Sequence, residues 1–276
     1  MKKIIYDFGA ARGENIPYYL LRSDFIVAVE ADPENYDFIK NKFKKEIDEK
    51  KLFLENCIAT KESKDRTFFY KHINNYLLGQ FPKPDQSLEK NFIEIEVPSK
   101  DVIEIIKSYG NPYFIKIDVE QYDETILERI LSNNIKPNYI SVEGTHPKIL
   151  DILHRVGGYD SFKLVEGSDV EYLYSNLKIE IGSIKKKYSF IKNSAGPFGN
   201  DIHGKWISKE NFSKLMEFMQ YGWRDIHCSL DDLAEEAVSF DKYINIEKKR
   251  KKKVKLIKRF FRIISKFNFY KNYENR

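Results

Sequence analysis

The chain has 276 residues, 42% of them hydrophobic and 14% aromatic, so it can bury a large core, and wholesale disorder is excluded. No run of about 18 apolar residues could span a membrane, and Asp7 interrupts the apolar run that a signal peptide would need. The net charge of +5 averages two unlike parts, because residues 242–276 carry +12 and residues 1–241 carry −7. Two cysteines without metal spacing fit a reducing cytosol, and a single disulfide bridge is the alternative.

Short apolar runs alternate with amphipathic stretches along most of the chain. Strands are predicted at 3–8, 25–31, 51–59, 66–72, 92–98, 112–120, 138–146, 161–167 and 222–230. Helices are predicted at 15–22, 33–48, 100–110, 122–133 and 147–159. Strand–helix repetition at this spacing predicts βαβ units and a mostly parallel sheet, whose ligands bind at the carboxyl ends of the strands.

The first strand runs into the turn YDFGAARGEN, which is unlike a phosphate-binding loop. A dinucleotide fingerprint would place glycines at positions 9, 11 and 14, and the chain has Gly9, Ala11 and Glu14 there. Ala11 hinders close approach to a pyrophosphate, and Glu14 at a helix entrance would repel one. The turn therefore suits a ligand without phosphates.

Acidic residues around this turn favour a cationic ligand. Asp7 and Glu14 flank the turn, and Glu30 ends the second predicted strand, where a carboxylate can accept both hydroxyls of a ribose. S-adenosylmethionine has a ribose, a sulfonium and an ammonium, and carries no phosphate. It is the ligand that we predict here.

Three stretches carry a resemblance to a known family: DFGAARGEN with VAVEADPENYDFIKNKF, VPSKDVIEIIKSYGNPYFIKIDVEQYDETILERI, and YISVEGTHPKILDILHRVGGYDSFKL. On these stretches, with SAGPFGNDIHGKW and GWRDIHCSL, most of residues 1–230 resembles the FkbM-type family of class I S-adenosylmethionine-dependent methyltransferases. The Lys-x-Asp-x-Glu block is its most specific part. The chain departs from the pattern at Gln121, where the family commonly has glycine.

The resemblance implies an α/β fold with a Rossmann-like, seven-stranded, mostly parallel sheet and helices on both faces. Residues 1–240 would form the methyltransferase domain, with 166–221 as a substrate or lid insertion, and 241–276 would form a basic amphipathic tail. The glycine-rich loop AGPFGNDIHG, residues 195–204, is interpreted as a lid or substrate loop rather than core.

The resemblance also implies S-adenosylmethionine as cofactor and assigns residues to it. Gly9 and Gly13 would let the turn pass under the methionine part, Asp7 would hold the turn or reach the ammonium, and Asn15 would cap the next helix. The cofactor-binding residues so implied are Asp7, Gly9, Ala10, Gly13, Asn15, Glu30, Ala31, Asp32, Asn56, Cys57, Ile58 and Asp118.

Methyl transfer to a hydroxyl requires an aligned acceptor and a group that takes the proton. The candidates at strand ends and in the glycine-rich loop are His146, Glu120, Asp118, Glu143 and His203, with His227 as a further possibility beside Asp225. The three acids could together bind Mg²⁺, hydrogen-bond substrate hydroxyls or pair with Lys116. No metal is predicted, because the sequence has no dense aspartate pair to support one.

The tail is predicted to form a basic amphipathic helix over 248–269. Its apolar residues recur at spacings of three and four, and they are Leu256, Ile257, Phe260, Phe261, Ile264 and Phe267. This pattern is typical of helices that lie on anionic membrane surfaces. A partner helix and a nucleic acid are the alternatives, and the apolar stripe favours lipid or protein over nucleic acid.

The sequence thus predicts an S-adenosylmethionine-dependent O-methyltransferase that acts on a sugar hydroxyl in surface-polysaccharide synthesis. It would be cytoplasmic and peripheral on the inner face of the membrane, and its partner would be a small molecule or glycan with a free hydroxyl. No specific nucleic acid is expected. The alternatives are methylation of a polyketide-like molecule, a nicotinamide-dependent oxidoreductase and a non-catalytic, membrane-tethered binding module.

Overall fold

The structure is a computed structural model that describes residues 2–144, 146–218, 223–232, 234, 248–249, 252 and 254–259. In chain order, the strands are β1 (Ile4–Phe8), β2 (Phe25–Glu30), β3 (Leu52–Asn56), β4 (Ile58–Thr60), β5 (Lys64–His72), β6 (Phe92–Asp101), β7 (Phe114–Ile117), β8 (Tyr139–Glu143), β9 (Ser161–Glu166), β10 (Leu177–Ile181), β11 (Ile184–Tyr188), β12 (Ile207–Ser208) and β13 (Arg224–Ser229). The α-helices are α1 (Ile16–Tyr19), α2 (Pro33–Lys42), α3 (Lys44–Asp48), α4 (Val102–Tyr109), α5 (Asp123–Ser132), α6 (Pro147–Asp151), α7 (Val170–Leu173) and α8 (Lys209–Phe218).

The main sheet confirms the predicted Rossmann-like, mostly parallel architecture. Its strand order is β12-β9-β13-β8-β7-β1-β2-β3. Parallel pairing joins five adjacent strands, which are β8, β7, β1, β2 and β3. Strand β13 lies between β8 and β9 and is antiparallel to both. Seven strands were expected, and the two-residue β12 adds a short eighth one at the edge, antiparallel to β9. β1 and β7 are buried along their whole length, as their continuous apolar runs predict.

Several predicted strands end earlier in the structure than the sequence suggests, and two of these ends change the course of the chain. The strand expected at 51–59 divides at Cys57, because β4 leaves the main sheet and pairs in parallel with β6 in a separate three-stranded sheet with β5. The strand expected at 112–120 ends at Ile117. Beyond it the chain turns, with Glu120 and Gln121 at φ values of 46° and 69°. Gln121 thus adopts a left-handed backbone conformation that glycine favours.

Most of the glycine-rich loop is part of the core, so the expectation of a lid or substrate loop outside the core was wrong for that part. Residues 194–199 are buried. The Phe198 ring stacks on the Phe114 ring with centroids 4.1 Å apart and also contacts the rings of Tyr18 and Tyr19. The loop is fixed in the core because its Phe198 side chain packs into an aromatic cluster. The glycine content of the loop gives no indication of this contact.

The described part of the tail is helical and touches the main body. Val254 is buried, and the Lys258 ammonium lies 2.6 Å from the Asp169 carboxylate. Leu256, expected on the apolar face, is 60% exposed. Residues 260–269 of the predicted amphipathic helix and the boundary at 240 and 241 lie outside the described residues. Nowhere in the described ranges does a helix combine the length and the apolar character that crossing a bilayer requires.

Candidate active site

A cavity of about 300 Å³ opens at the carboxyl ends of β1, β2, β7 and β8. Parallel sheets place ligands at this edge. Six acids line the cavity, and they are Glu14, Glu30, Asp32, Asp118, Glu120 and Glu143. Lys116 is the one basic residue among the described residues that line it. This balance favours a ligand that carries positive charge.

The turn after β1 forms one wall of the cavity, and Gly9 is its indispensable glycine. Gly9 has a φ of 83°, and a Cβ there would lie 1.7 Å from the backbone oxygen of Asp118. Only glycine therefore lets this turn pass against the end of β7. Gly13 does not line the cavity: a Cβ there would meet the side chains of Phe43 and Ile16, so this glycine serves local packing.

Glu30 lies on the floor of the cavity and is held by two backbone donors. Its Oε2 accepts the N–H of Ala11 at 2.7 Å, and its Oε1 accepts the N–H of Asp32 at 2.8 Å. Burial, opposed in part by these two donors, raises the pKa of Glu30 from 4.5 to about 8. Each carboxylate oxygen keeps a second lone pair, so the group can still accept hydroxyl donors from a ligand.

The raised pKa of Glu30 predicts a pH-dependent stability. The unfolded chain restores the ordinary pKa of 4.5, so between about pH 4.5 and about pH 8 the folded state binds more protons than the unfolded state. Stability must then fall as the pH rises through this window. We expect the free energy of unfolding of the wild type, relative to Glu30→Gln, to decrease from about pH 5 to about pH 8. Urea unfolding measures this difference, and a constant value would contradict the prediction.

Apolar and neutral side chains form the wall beyond Glu30. Ala31, Cys57 and Ile58, which were assigned to the cofactor, line the cavity together with Phe69 and Phe81. Asn56 does not line it. Its Nδ2 donates to the backbone oxygens of Glu30, at 2.8 Å, and Ala31, at 3.3 Å, and so fixes the backbone that carries Glu30. A flat aromatic base fits such a wall better than a charged group.

Two other predicted cofactor residues act at a helix start. Asp32 lines the cavity and caps α2, because its carboxylate accepts the N–H of Glu34 at 2.9 Å. Asn15 lines the cavity next to Ala10, at the first position before α1, but its side chain does not cap that helix. Its Oδ1 instead accepts the N–H of Ala195 at 2.9 Å, which ties the glycine turn to the buried loop.

Three carboxylates converge at the opposite end of the cavity. Asp118, Glu120 and Glu143 each offer an oxygen within 4.8 Å of the others. The Lys116 ammonium lies 2.8 Å from Asp118 Oδ2 and, although burial opposes the charge, keeps the pKa of Asp118 below its ordinary value. Burial and then the Asp118 charge raise the pKa of Glu143. We call these three residues the acidic cluster.

Behind the acidic cluster, polar groups are buried within the main sheet. Asp7 lies 3.7 Å from Lys116, yet neither of its carboxylate oxygens has a hydrogen-bond partner among the described residues. Ser141 lies 3.3 Å from His227 Nε2 and 3.4 Å from Asp225. Burial lowers the pKa of His227 to about 3, so this histidine stays neutral. Asp7 and His227 do not reach the cavity.

The two histidines predicted as catalytic candidates do not line the cavity. His146 is exposed, and its Nδ1 lies 2.8 Å from the Glu124 carboxylate. His203 is exposed, and its ring stacks on the Tyr174 ring with centroids 4.5 Å apart. The acids Asp118, Glu120 and Glu143 are therefore the members of the predicted catalytic set that the structure brings together.

Sequence reasoning missed the segment that covers the cavity, residues 73–81. Tyr76 connects it to the glycine turn: its hydroxyl donates to Glu14 at 2.9 Å and accepts from Asn193 at 3.1 Å. The Arg12 guanidinium lies 4.1 Å from the ring centroid of Tyr76, at cation–π distance. The available signal was a long irregular connection between two strands, 73–91, which often carries binding residues.

Replacing Tyr76 with phenylalanine should loosen this cover while leaving the aromatic ring in place. The loss of a hydroxyl hydrogen bond costs roughly 1 kcal/mol, so we expect dissociation of S-adenosylmethionine to accelerate about fivefold. Stopped-flow fluorescence measures that rate. Tyr36→Phe, at a half-buried tyrosine of α2 outside the cavity, is the matched control. Equal dissociation rates in both variants would show that Tyr76 does not hold the cover.

Fold and site together define a Rossmann-like enzyme with an acid-lined ligand cavity at the carboxyl end of its sheet. The sequence pattern described as the Methyltransferase FkbM domain matches residues 7–160, more than half of the chain, and the chain belongs to this methyltransferase family. Family membership supports S-adenosylmethionine as the cofactor. Among curated proteins, none matches the sequence.

Solved structures of other methyltransferases are similar to the chain. A methyltransferase FkbM from Methylobacillus flagellatus KT is 16% identical with a TM-score of 0.41, and the match covers 60% of this chain and 40% of that one. A precorrin-6y C5,15-methyltransferase from Geobacter metallireducens GS-15 is 13% identical with a TM-score of 0.37, over 82% and 78% of the two chains. The tRNA (uracil-54, C5)-methyltransferase of Pyrococcus abyssi, in complex with S-adenosyl-L-homocysteine, is 10% identical with a TM-score of 0.33, over 60% and 30%.

Proposed function

We propose that this protein is an S-adenosylmethionine-dependent O-methyltransferase that acts on a sugar hydroxyl. The observation that carries the proposal is the charge of the cavity, with six acids around a single lysine among the described lining residues. A cationic methyl donor is attracted to such a cavity, whereas the pyrophosphate of a nicotinamide cofactor would be repelled. Family membership also speaks against an oxidoreductase.

The residues of the cavity fit the cofactor in three parts. Glu30 would accept the ribose hydroxyls, and the wall of Cys57, Ile58 and Phe69 would bind the adenine. The Gly9 turn provides a backbone surface without a side chain, on which the methionine part would lie. When bound, the cofactor supplies an electrophilic methyl group.

The acidic cluster would bind the acceptor. Its carboxylates can accept hydrogen bonds from a sugar hydroxyl and hold that oxygen in line for the displacement. As the new carbon–oxygen bond formed, the methyl carbon–sulfur bond of the cofactor would break and S-adenosylhomocysteine would leave. The hydroxyl proton would pass to a carboxylate oxygen of the cluster. The Lys116 ammonium, 2.8 Å from Asp118 Oδ2, keeps the Asp118 carboxylate charged and in position.

We infer a surface-polysaccharide acceptor from the tail. Residues 242–276 carry a net charge of +12, which attracts an anionic leaflet, and surface glycans are assembled at the inner membrane face. The ion pair between Lys258 and Asp169 joins this tail to the segment that follows β9. Peripheral contact through 248–269 would keep the enzyme close to lipid-linked sugars.

The proposal is tested by cofactor binding and by transfer to defined acceptors. We expect isothermal titration to show one S-adenosylmethionine bound per chain. With labelled cofactor, we expect methyl transfer to nucleotide-linked or lipid-linked sugars but not to their deoxy analogues at the reactive position. Absence of S-adenosylmethionine binding would overturn the assignment. Cofactor binding with transfer only to a polyketide-like alcohol would overturn the sugar acceptor.

A further inference from the structure

We propose that the acidic cluster of Asp118, Glu120 and Glu143 binds one divalent cation, Mg²⁺ or Mn²⁺, beside the methyl donor. The cluster lines the cavity at the ends of β7 and β8, and its members are half-buried. One carboxylate oxygen from each lies within 4.8 Å of the others, close enough for a single ion to contact all three. Oxygen ligands of this kind select hard divalent cations.

A buried carboxylate oxygen without a partner, next to the cluster, points to the same ligand. Asp225 is 1% exposed, and its Oδ1 has no hydrogen-bond partner within the described part of the chain. Asp225 lies directly opposite Glu143 in the β8–β13 ladder, so both side chains leave the same face of the sheet. Its other oxygen, Oδ2, accepts from Ser141 at 3.4 Å, so Oδ1 alone lacks a partner. A buried polar atom without a partner is costly, and a cation in the cluster would offset that cost.

The basic residues described around the cluster do not neutralise all of its acidic groups. Lys116 is the single buried cation described there, and its contacts are with Asp118 Oδ2 and with Asp7. The other oxygen of Asp118 and the carboxylates of Glu120 and Glu143 form no ion pair with a described basic residue. One lysine therefore faces five carboxylates, counting Asp7 and Asp225, so a second, stronger cation is electrostatically favoured.

A divalent ion at this position has a clear chemical use. It would bind the oxygen of the acceptor hydroxyl, lower the pKa of that hydroxyl and orient it toward the methyl group. The proton then leaves to water or to a carboxylate, and no oxidant or reductant is needed. This role rests on the proposed function, whereas the existence of the ion site does not.

The test uses Mn²⁺ alone, titrated into the full chain and followed by calorimetry and by electron paramagnetic resonance of free Mn²⁺. We expect one bound ion, and Glu120→Gln and Glu143→Gln should each weaken binding at least about tenfold. Glu210→Gln, at an exposed glutamate of α8, is the control and should bind as the wild type does.

Two results would overturn the ion site: no saturable Mn²⁺ binding, or binding that neither cluster substitution weakens. Circular dichroism and thermal unfolding of each variant show whether it has folded, and Glu143→Asp provides a second variant that keeps the charge. Titration of S-adenosylmethionine without metal separates the two proposals. If the cofactor binds and Mn²⁺ does not, the ion site fails and the proposed function stands.

Discussion

Replacing Glu30 with alanine is expected to weaken S-adenosylmethionine binding at least about 100-fold. Glu30 can accept both ribose hydroxyls, and at about pH 9, above its pKa of about 8, it is charged. A hydrogen bond to a charged group contributes roughly 1.5–3 kcal/mol, and each factor of ten in affinity requires about 1.4 kcal/mol, so the comparison is made at that pH. The substitution also leaves the N–H groups of Ala11 and Asp32 without their acceptor, so the turn loses its support. Isothermal titration gives the dissociation constant.

Glu34→Ala is the matched control for this prediction. Glu34 is four residues further along the chain, in the first turn of α2. Its side chain is 74% exposed, and it does not line the cavity. We expect its affinity for the cofactor to equal that of the wild type. Wild-type affinity in folded Glu30→Ala would refute the ribose assignment, and equal losses in both variants would indicate a general effect of charge.

Replacing Gly9 with alanine is expected to destabilise the fold by about 3 kcal/mol or more and to abolish cofactor binding. The new Cβ would lie 1.7 Å from the backbone oxygen of Asp118, and the φ of 83° is unfavourable for any other residue. No side-chain rotation relieves a clash with backbone. To remove the clash, the ends of β1 and β7 would have to separate. That movement would break the pairing of Phe8 with Ile117 next to the turn.

Gly204→Ala separates the clash from the backbone strain. Gly204 has a φ of 90°, similar to that of Gly9, but an added Cβ would meet nothing within 4 Å. Urea unfolding of this control should show only the strain, about 1 kcal/mol. If Gly9→Ala cost no more than Gly204→Ala, the close contact between the turn and the end of β7 would be refuted.

The periodicity of the sequence predicted the main elements because strand and helix patterns are local. Strands β1, β2 and β7 are buried on both faces and therefore have continuous apolar runs. Helices α4 and α5 are buried on one face, so their apolar residues recur at helical spacing. The grouping of the acids at strand ends was also predictable, because the carboxyl ends of parallel strands lie at one edge of the sheet. Glu30, Asp118, Glu120 and Glu143 all line one cavity for that reason.

Other assignments failed because they depend on contacts distant in sequence. His146 follows β8 directly, yet its partner is Glu124 on the outer surface of α5. The loop at 194–199 has the composition of a lid, but Phe198 enters an aromatic cluster assembled from β7 and α1. The true cover, residues 73–81, has no regular pattern and is identified only by the contacts of Tyr76 with Glu14 and Asn193.

The sequence by itself determined the parallel sheet and the family, and it led to the predictions that the ligand is cationic and that Glu30 meets its ribose. Each of these depends on residue type and short spacing, which the chain displays without folding. The tertiary structure alone decided that Asp118, Glu120 and Glu143 lie within 4.8 Å of one another and that Asp225, from β13, stands behind them. Distances between separate strands are set by the register of the sheet, and that register exists only once the core has packed.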